Sequence, residues 1–189
     1  MRLILASASP RRAELLHQIG VEFDTKSVDI DETPLAGELA YDYVKRLAIE
    51  KARTAKVFYP QSDVLILGSD TTVVLDGEIL GKPDSKEHAF TMLKKLSGKC
   101  HKVLTSVAIL GQQELCTVSE SEVRFANISE QELEWYWATG EPKDKAGAYA
   151  IQGNAAVFIS RLEGSFSGVM GLPLYETRQM LQQHGFFTL

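Results

Sequence analysis

Residues Val64–Pro83 read VLILGSDTTVVLDGEILGKP. Val64–Leu67 is an unbroken apolar run of strand length. A polar break follows, Gly68-Ser69-Asp70-Thr71, and Thr72–Leu75 returns to strand character. Asp76-Gly77 is a hairpin turn signal, and Glu78–Leu80 is the strand that returns from it. This stretch predicts a strand, a polar interruption, a second strand and an antiparallel hairpin.

Reading outward changes the picture from hairpins to alternation. Upstream, Leu3–Leu5 is a short apolar strand that runs into a helix. Ser9 is its N-cap, Pro10 takes the first helical position, and Gly20 follows its end. Leu15, Leu16 and Ile19 form the apolar stripe of that helix. VEFDTKSVDIDE, Val21–Glu32, reads as strand, and a helical pattern runs from Glu38 to about Lys56, closed by Pro60. Downstream, Asp84 with Glu87 forms a capping-box pattern for a helix that reaches Gly98. HKVLTSVAILGQQELCTVSESEVRFA, His101–Ala126, reads as two strands joined at Gly111-Gln112. Ser129 with Glu132 caps a helix that stops at Gly140. A charged loop, GEPKDKAGAYAIQG, leads to a strand over Ala156–Leu162, and a last helix spans Pro173 to Gly185. Helices and strands that alternate irregularly, with hairpins between them, imply an α/β or α+β domain on a mixed sheet. No repeat, low-complexity segment or long linker divides residues 1–189, so one domain is expected.

The bulk numbers narrow the function. With 44% hydrophobic and 24% charged residues, the chain reads as soluble and globular. A net charge of −5 argues against a general nucleic-acid binder. The opening apolar run is about four residues, where a signal core needs about 7–15. No segment approaches the length of a membrane span. Cys100 and Cys116 have no ligand set around them and read as reduced thiols of a cytoplasmic protein. His17, His88, His101 and His184 are scattered, and none reads as a metal ligand.

Four clusters carry possible chemistry, each with a plain structural reading beside it. Arg11 and Arg12 stand in the first turn of a helix, whose N-terminus already favours anions over cations. They are either solvated surface charges or an anion site built on free backbone N–H groups. Lys51 falls on the apolar face set by Val44, Leu47, Ala48 and Ala55, where it either snorkels to solvent or meets an anion in a cleft. Asp70 sits between two strand-like runs, where it either caps a turn or binds Mg²⁺ and orients water. Lys82 and Glu32 can serve the same region, although the acids around Glu32 also suit a solvated loop. In Asp144–Gly153, Gln152 can read a base edge, or the segment is only a tight connection. Cations for phosphates, acids for a metal and an amide for a base together point to a nucleoside triphosphate. No P-loop is present, which argues against a Walker-type ATPase.

LASASPRRAELL, VDIDETP, RLAIEKA, GSDTTVVLDGEILGKP, LSGK, DKAGAYAIQG and GLPLYET occur in this order from Leu3 to about Thr177. Together they resemble the Maf family of nucleotide pyrophosphatases, also called septum formation inhibitors, in its dTTP/UTP pyrophosphatase branch. The resemblance implies one α/β domain on an elongated, twisted mixed sheet, folded like inosine triphosphate pyrophosphatases. It implies a cytoplasmic homodimer that uses a divalent cation, Mg²⁺ or Mn²⁺, and acts on a nucleoside triphosphate, not on nucleic acid or membrane. It makes Asp70 the proton acceptor and a metal ligand with Glu32. Ser7, Arg12, Lys51 and Lys82 fall on phosphate positions, and Arg11, Thr71 and Gln152 on positions that set substrate choice. Gly81 departs from the pattern, since some members of this branch place Glu before the Lys of KP. The implied reaction is hydrolysis between the α and β phosphates of dTTP or UTP, or of a modified pyrimidine nucleotide. The competing reading is a non-catalytic nucleotide sensor that regulates septum formation.

Overall fold

A computed structural model describes residues 1–186. In chain order the elements are β1 (Arg2–Leu5), α1 (Pro10–Gln18), β2 (Asp24–Thr25), α2 (Ala40–Lys56), β3 (Val64–Leu75), β4 (Glu78–Leu80) and α3 (Lys86–Leu96). Then come β5 (Cys100–Leu110), β6 (Glu114–Phe125), α4 (Glu130–Ala138), β7 (Ile159–Glu163), α5 (Phe166–Met170) and α6 (Leu174–Gln183). Short 3-10 turns occupy Ala146–Ala148 and Asn154–Phe158. The strand order is β2-β1-β3-β5-β6-β7, and β4 pairs with β3 off that path. β1 runs parallel to β2 and β3, whereas β4 on β3 and β7 on β6 are antiparallel. The class is therefore α/β on a mixed sheet, as the alternation of helices with hairpins implies.

The chain forms two compact units. The first comprises Met1–Asp70, Thr105–Ser119 and the chain from Gly171. Ile4 of β1, Val64 and Ile66 of β3, and Ala108 of β5 pack there against Ala48, Ala52 and Ala55 of α2. The small side chains on α2 permit a close approach, which is tightest at Gly68. A Cβ at that position would strike the Ala48 carbonyl and stand 2.8 Å from the Ala52 nitrogen. The glycine thus lets α2 lie directly on β3.

The second unit comprises Thr71–Leu104 and Glu120–Met170. Leu75, Leu80, Leu93, Leu96, Phe125, Leu133, Tyr136 and Phe158 are among its core residues. His101 belongs to this core, edge-on to Phe125 and Tyr149, with Nε2 2.8 Å from the Tyr149 hydroxyl. Burial pulls its pKa down to about 4, so the ring is neutral at physiological pH.

Several boundaries differ from the expectation. β3 is a single strand of 12 residues that runs through the polar break. Its ladder continues because the polar side chains find partners, Ser69 and Asp70 among them. Only Asp24–Thr25 of the stretch from Val21 to Glu32 is strand, paired at the sheet's end with Ile4 and Leu5 of short β1. α2 begins at Ala40 because Glu38 serves the preceding loop. Ser85, not Asp84, caps α3 by accepting from the His88 N–H at 3.1 Å, and Asp84 contacts the His88 ring. β7 starts at Ile159 because Asn154–Phe158 coils into a 3-10 turn, and the short helix α5 was not expected. The capping box of Ser129 and Glu132 is formed as expected.

Candidate active site

The site in the first unit is built at the start of α1 and where α2 crosses β3. Ser9 stands at the N-cap of α1 but makes no side-chain cap bond; its N–H instead donates to Ser7 Oγ at 3.1 Å. Arg12 points back from the first turn. Its Nη1 donates to the same Ser7 Oγ at 3.1 Å, and its Nε donates to the Gly171 carbonyl at 2.8 Å. The buried Ser69 hydroxyl donates to that carbonyl as well, at 3.0 Å. Arg12 is therefore held in place by the chain. Burial draws its pKa down, Asp70 opposes this, Arg11 adds to it, and Glu32 opposes it.

Asp70 and Gly68 are two residues apart on β3 and so share the face toward α2. Lys51 lies three residues after Ala48 on α2, at the same crossing. Close approach at Gly68 thus delivers the Lys51 amine to Asp70. Lys51 Nζ stands 2.6 Å from Asp70 Oδ1 and 2.6 Å from Glu32 Oε1. The Lys51 and Asp70 side chains are only 12% and 10% exposed, which rules out the snorkelling alternative. Burial pushes the Asp70 carboxyl above its ordinary pKa, against the pull of Lys51 and Arg12.

Glu32 comes from a loop that α2 fastens. The Tyr43 hydroxyl donates to the Glu32 carbonyl at 2.9 Å. Arg46 donates to the Thr33 carbonyl at 3.2 Å and to both Glu38 oxygens at 2.7 and 2.8 Å. Glu38 in turn accepts from the Leu35 N–H at 3.0 Å. The Arg46 bonds hold the Glu38 carboxyl down to about 2. Burial, with Asp70 and Glu32 nearby, pushes the Tyr43 hydroxyl up to about 12.

The first unit therefore brings Ser7, Arg12, Glu32, Lys51 and Asp70 together, with Arg11 in the field of Arg12. Thr71, Lys82 and Gln152 belong to the second unit. Thr71 follows Asp70 on β3 and is half-buried. Lys82 is exposed just past β4, and Gln152 is exposed on a turn closed by the Gly153 N–H to the Ala150 carbonyl at 3.1 Å.

Residues 2–184 match the family described as Maf-like protein. The chain belongs to the Maf family. It is 50% identical over 189 residues to the dTTP/UTP pyrophosphatase of Methylococcus capsulatus, covering 100% of this chain and 93% of that one. It is 51% identical over 186 residues to the dTTP/UTP pyrophosphatase of Hahella chejuensis, covering 97% of this chain and 92% of that one. Among solved structures, the Ham1 protein of Staphylococcus aureus is similar at 15% identity, 67% and 73% coverage and a TM-score of 0.49.

This Maf chain presents a buried carboxylate of raised basicity, a second carboxylate and anchored cations, a set suited to phosphoanhydride chemistry. Sequence reading missed Tyr43, Arg46, Ser69 and the Gly171 carbonyl, which orient the others. Tyr43 had one available signal: it lies eight residues before Lys51, on the same side of α2. Among the described residues, no helix is long and apolar enough to cross a membrane.

Proposed function

We propose that this Maf chain hydrolyses dTTP and UTP between the α and β phosphates, releasing the nucleoside monophosphate and pyrophosphate. The observation that carries the reading is the Lys51 amine, held 2.6 Å from both Asp70 and Glu32 beside the anchored Arg12. Full-length identity near one half to named dTTP/UTP pyrophosphatases supports the substrate. Asp70 is the general base. Its burial raises its basicity, which favours taking a proton from water at neutral pH. Water attacks the α phosphorus, the bond to the bridging oxygen breaks, and pyrophosphate leaves. Ser7, Arg12, Lys51 and Lys82 bind phosphate oxygens, and Ser7 Oγ also accepts from Arg12.

Glu32 and Asp70 are also the residues that would hold Mg²⁺ or Mn²⁺, which polarises phosphate oxygens when bound. The donor set fits such an ion. Both are hard oxygen ligands meeting at one cation, and Mg²⁺ commonly takes one or two carboxylates, with water and substrate phosphate completing its shell. Among the described residues, no group of three or more His, Cys, Asp or Glu is placed to hold a metal ion.

Gln152 reads the base in this reading. Its amide offers a donor and an acceptor, which suit the N3–H and a carbonyl of thymine or uracil. Arg11 only donates, so it favours carbonyl oxygens over the cytosine amine, and Thr71 adjusts the fit. The enzyme acts as one domain over residues 1–189, as a cytoplasmic homodimer; both cysteines are free thiols, in keeping with a reducing compartment. The test is pyrophosphate release from dTTP, UTP, CTP, ATP and GTP with Mg²⁺ on purified protein. Turnover of dTTP and UTP, less of CTP and little of the purines, is expected. Nucleotide binding without turnover would return the chain to the regulator reading.

A further inference from the structure

α4 and the loop after it hold a second polar cluster that the hydrolytic residues do not use. Tyr136 is fully buried on α4. Its hydroxyl donates to Glu141 Oε1 at 2.8 Å and accepts from the Ala150 N–H at 3.3 Å. Glu141 is occupied from the other side as well. Its Oε2 accepts from the Asn154 N–H at 2.7 Å and from Asn154 Nδ2 at 2.9 Å, and its Oε1 accepts from the Ala155 N–H at 3.1 Å. Burial alone would raise the Glu141 pKa, but the Asn154 and Ala155 N–H bonds, with Tyr136, bring it below the ordinary value. Its carboxylate is therefore charged at neutral pH, and hydrogen bonds to a charged acceptor are roughly twice as strong as neutral ones. Contact is so close that a Cβ at Gly153 would strike this carboxylate.

The bonded residues bracket one exposed side chain. Ala150 lies two residues before Gln152, and Asn154 and Ala155 follow it by two and three. Tyr136 and Glu141 tie down both flanks, while Gln152 itself stays exposed. An amide meets the edge of a base in register only when the backbone that carries it stands in a fixed place. We propose that Tyr136 and Glu141 are positioning residues that fix the backbone of Gln152 for selecting the pyrimidine; this rests on Gln152 reading the base.

The measurement is kcat and KM for dTTP and CTP on the parent, Tyr136→Phe, Glu141→Gln, Gln152→Ala and the Glu141→Gln/Gln152→Ala double variant. In Glu141→Gln, the ratio of kcat/KM for dTTP over CTP should fall about tenfold, mostly through KM for dTTP, since the amide nitrogen cannot accept a backbone N–H. Tyr136→Phe should move the ratio in the same direction by less. It keeps the question open to test if Glu141→Gln fails to fold in a thermal melt. On the Gln152→Ala background, Glu141→Gln should change the ratio by no more than about twofold, because it acts through the residue already removed. An equal loss on dTTP and CTP, or an undiminished loss of discrimination on that background, would make the pair merely structural and overturn the inference. A parent that hydrolyses dTTP while Gln152→Ala leaves the ratio unchanged removes the base reader, and the inference with it. A parent that does not hydrolyse dTTP refutes the proposed activity itself.

Discussion

Replacing Lys51 with Met tests the electrostatic core of the site. Met keeps most of the apolar stem and removes only the charge. Asp70 would then remain buried without its nearest cation. Breaking a buried ion pair by removing one partner costs about 3–5 kcal/mol. Two features lower that figure here. Arg12 still acts on Asp70, and Glu32, with its side chain 45% exposed, is solvated without help. The expected loss is about 2 kcal/mol at pH 8. For a chain of this size that corresponds to about 4–8 °C in the thermal midpoint.

The loss should depend on pH, and its sign follows from Asp70. Its folded pKa is already above the ordinary 3.8, and removing Lys51 raises it further. The folded state then keeps a proton that the unfolded state has released, so stability falls as pH rises from the unfolded to the folded value. As pH falls a proton replaces the missing ammonium, so the deficit at pH 5.5 should be smaller than at pH 8. Melting curves at both pH values, for parent, Lys51→Met and Lys51→Met/Asp70→Asn, decide the matter. The double variant should recover most of the loss. An equal deficit at both pH values, or a double variant as unstable as the single one, would show that Lys51 stabilises through its stem and not by neutralising Asp70.

Asp70→Asn should abolish hydrolysis while nucleotide binding, read by calorimetry, survives; activity within about tenfold of the parent, or about 1.4 kcal/mol of barrier, would remove Asp70 as the base. Because the base must be ionised and its pKa is raised, the acid limb of the kcat/KM profile should lie above the ordinary aspartate value, and a limb at or below 3.8 refutes the assignment. Gln152→Glu should cut kcat/KM on dTTP and UTP alike by about tenfold, since a carboxylate cannot donate to a carbonyl, and unchanged constants would free Gln152 of its role.

What the sequence disclosed follows local chemistry. Caps, the Asp76-Gly77 turn and apolar runs are determined within a few residues, so α1, β4, α4 and most of β5 and β6 were legible. The polar break in β3 reads as an interruption because propensity counts Asp and Gly against a strand. Tertiary partners reverse that count: Lys51 pairs with Asp70, and α2 needs the bare Gly68 to lie close. The same crossing explains why Lys51 could be placed on an apolar helix face but not resolved between solvent and cleft. Its destination depends on β3, which is far away in sequence. Tyr43 and Arg46 escaped notice because part of their work is on a loop backbone, and the Glu32 and Thr33 carbonyls they bond have no sequence signature.

The first turn of α1 joins these points. It contains no acidic residue, and Arg11 and Arg12 oppose the helix dipole at about 0.3–1 kcal/mol each. Had Arg12 been a solvated surface charge, nothing would tether it. Instead Ser7 and the Gly171 carbonyl take two of its N–H groups and burial weakens its hold on a proton. A cation fixed against its own preferences is preorganised for an anion, and pyrophosphate should supply it. At pyrophosphate a hundredfold above its dissociation constant, the parent should gain about 2.7 kcal/mol of stability. If Arg12→Gln weakens binding about tenfold, the same concentration should confer only about 1.4 kcal/mol. In thermal midpoints the parent should shift by about 5–11 °C and the variant by about half as much. Equal shifts in parent and variant would mean that Arg12 is a structural strap between Ser7 and Gly171, and that the anion binds elsewhere.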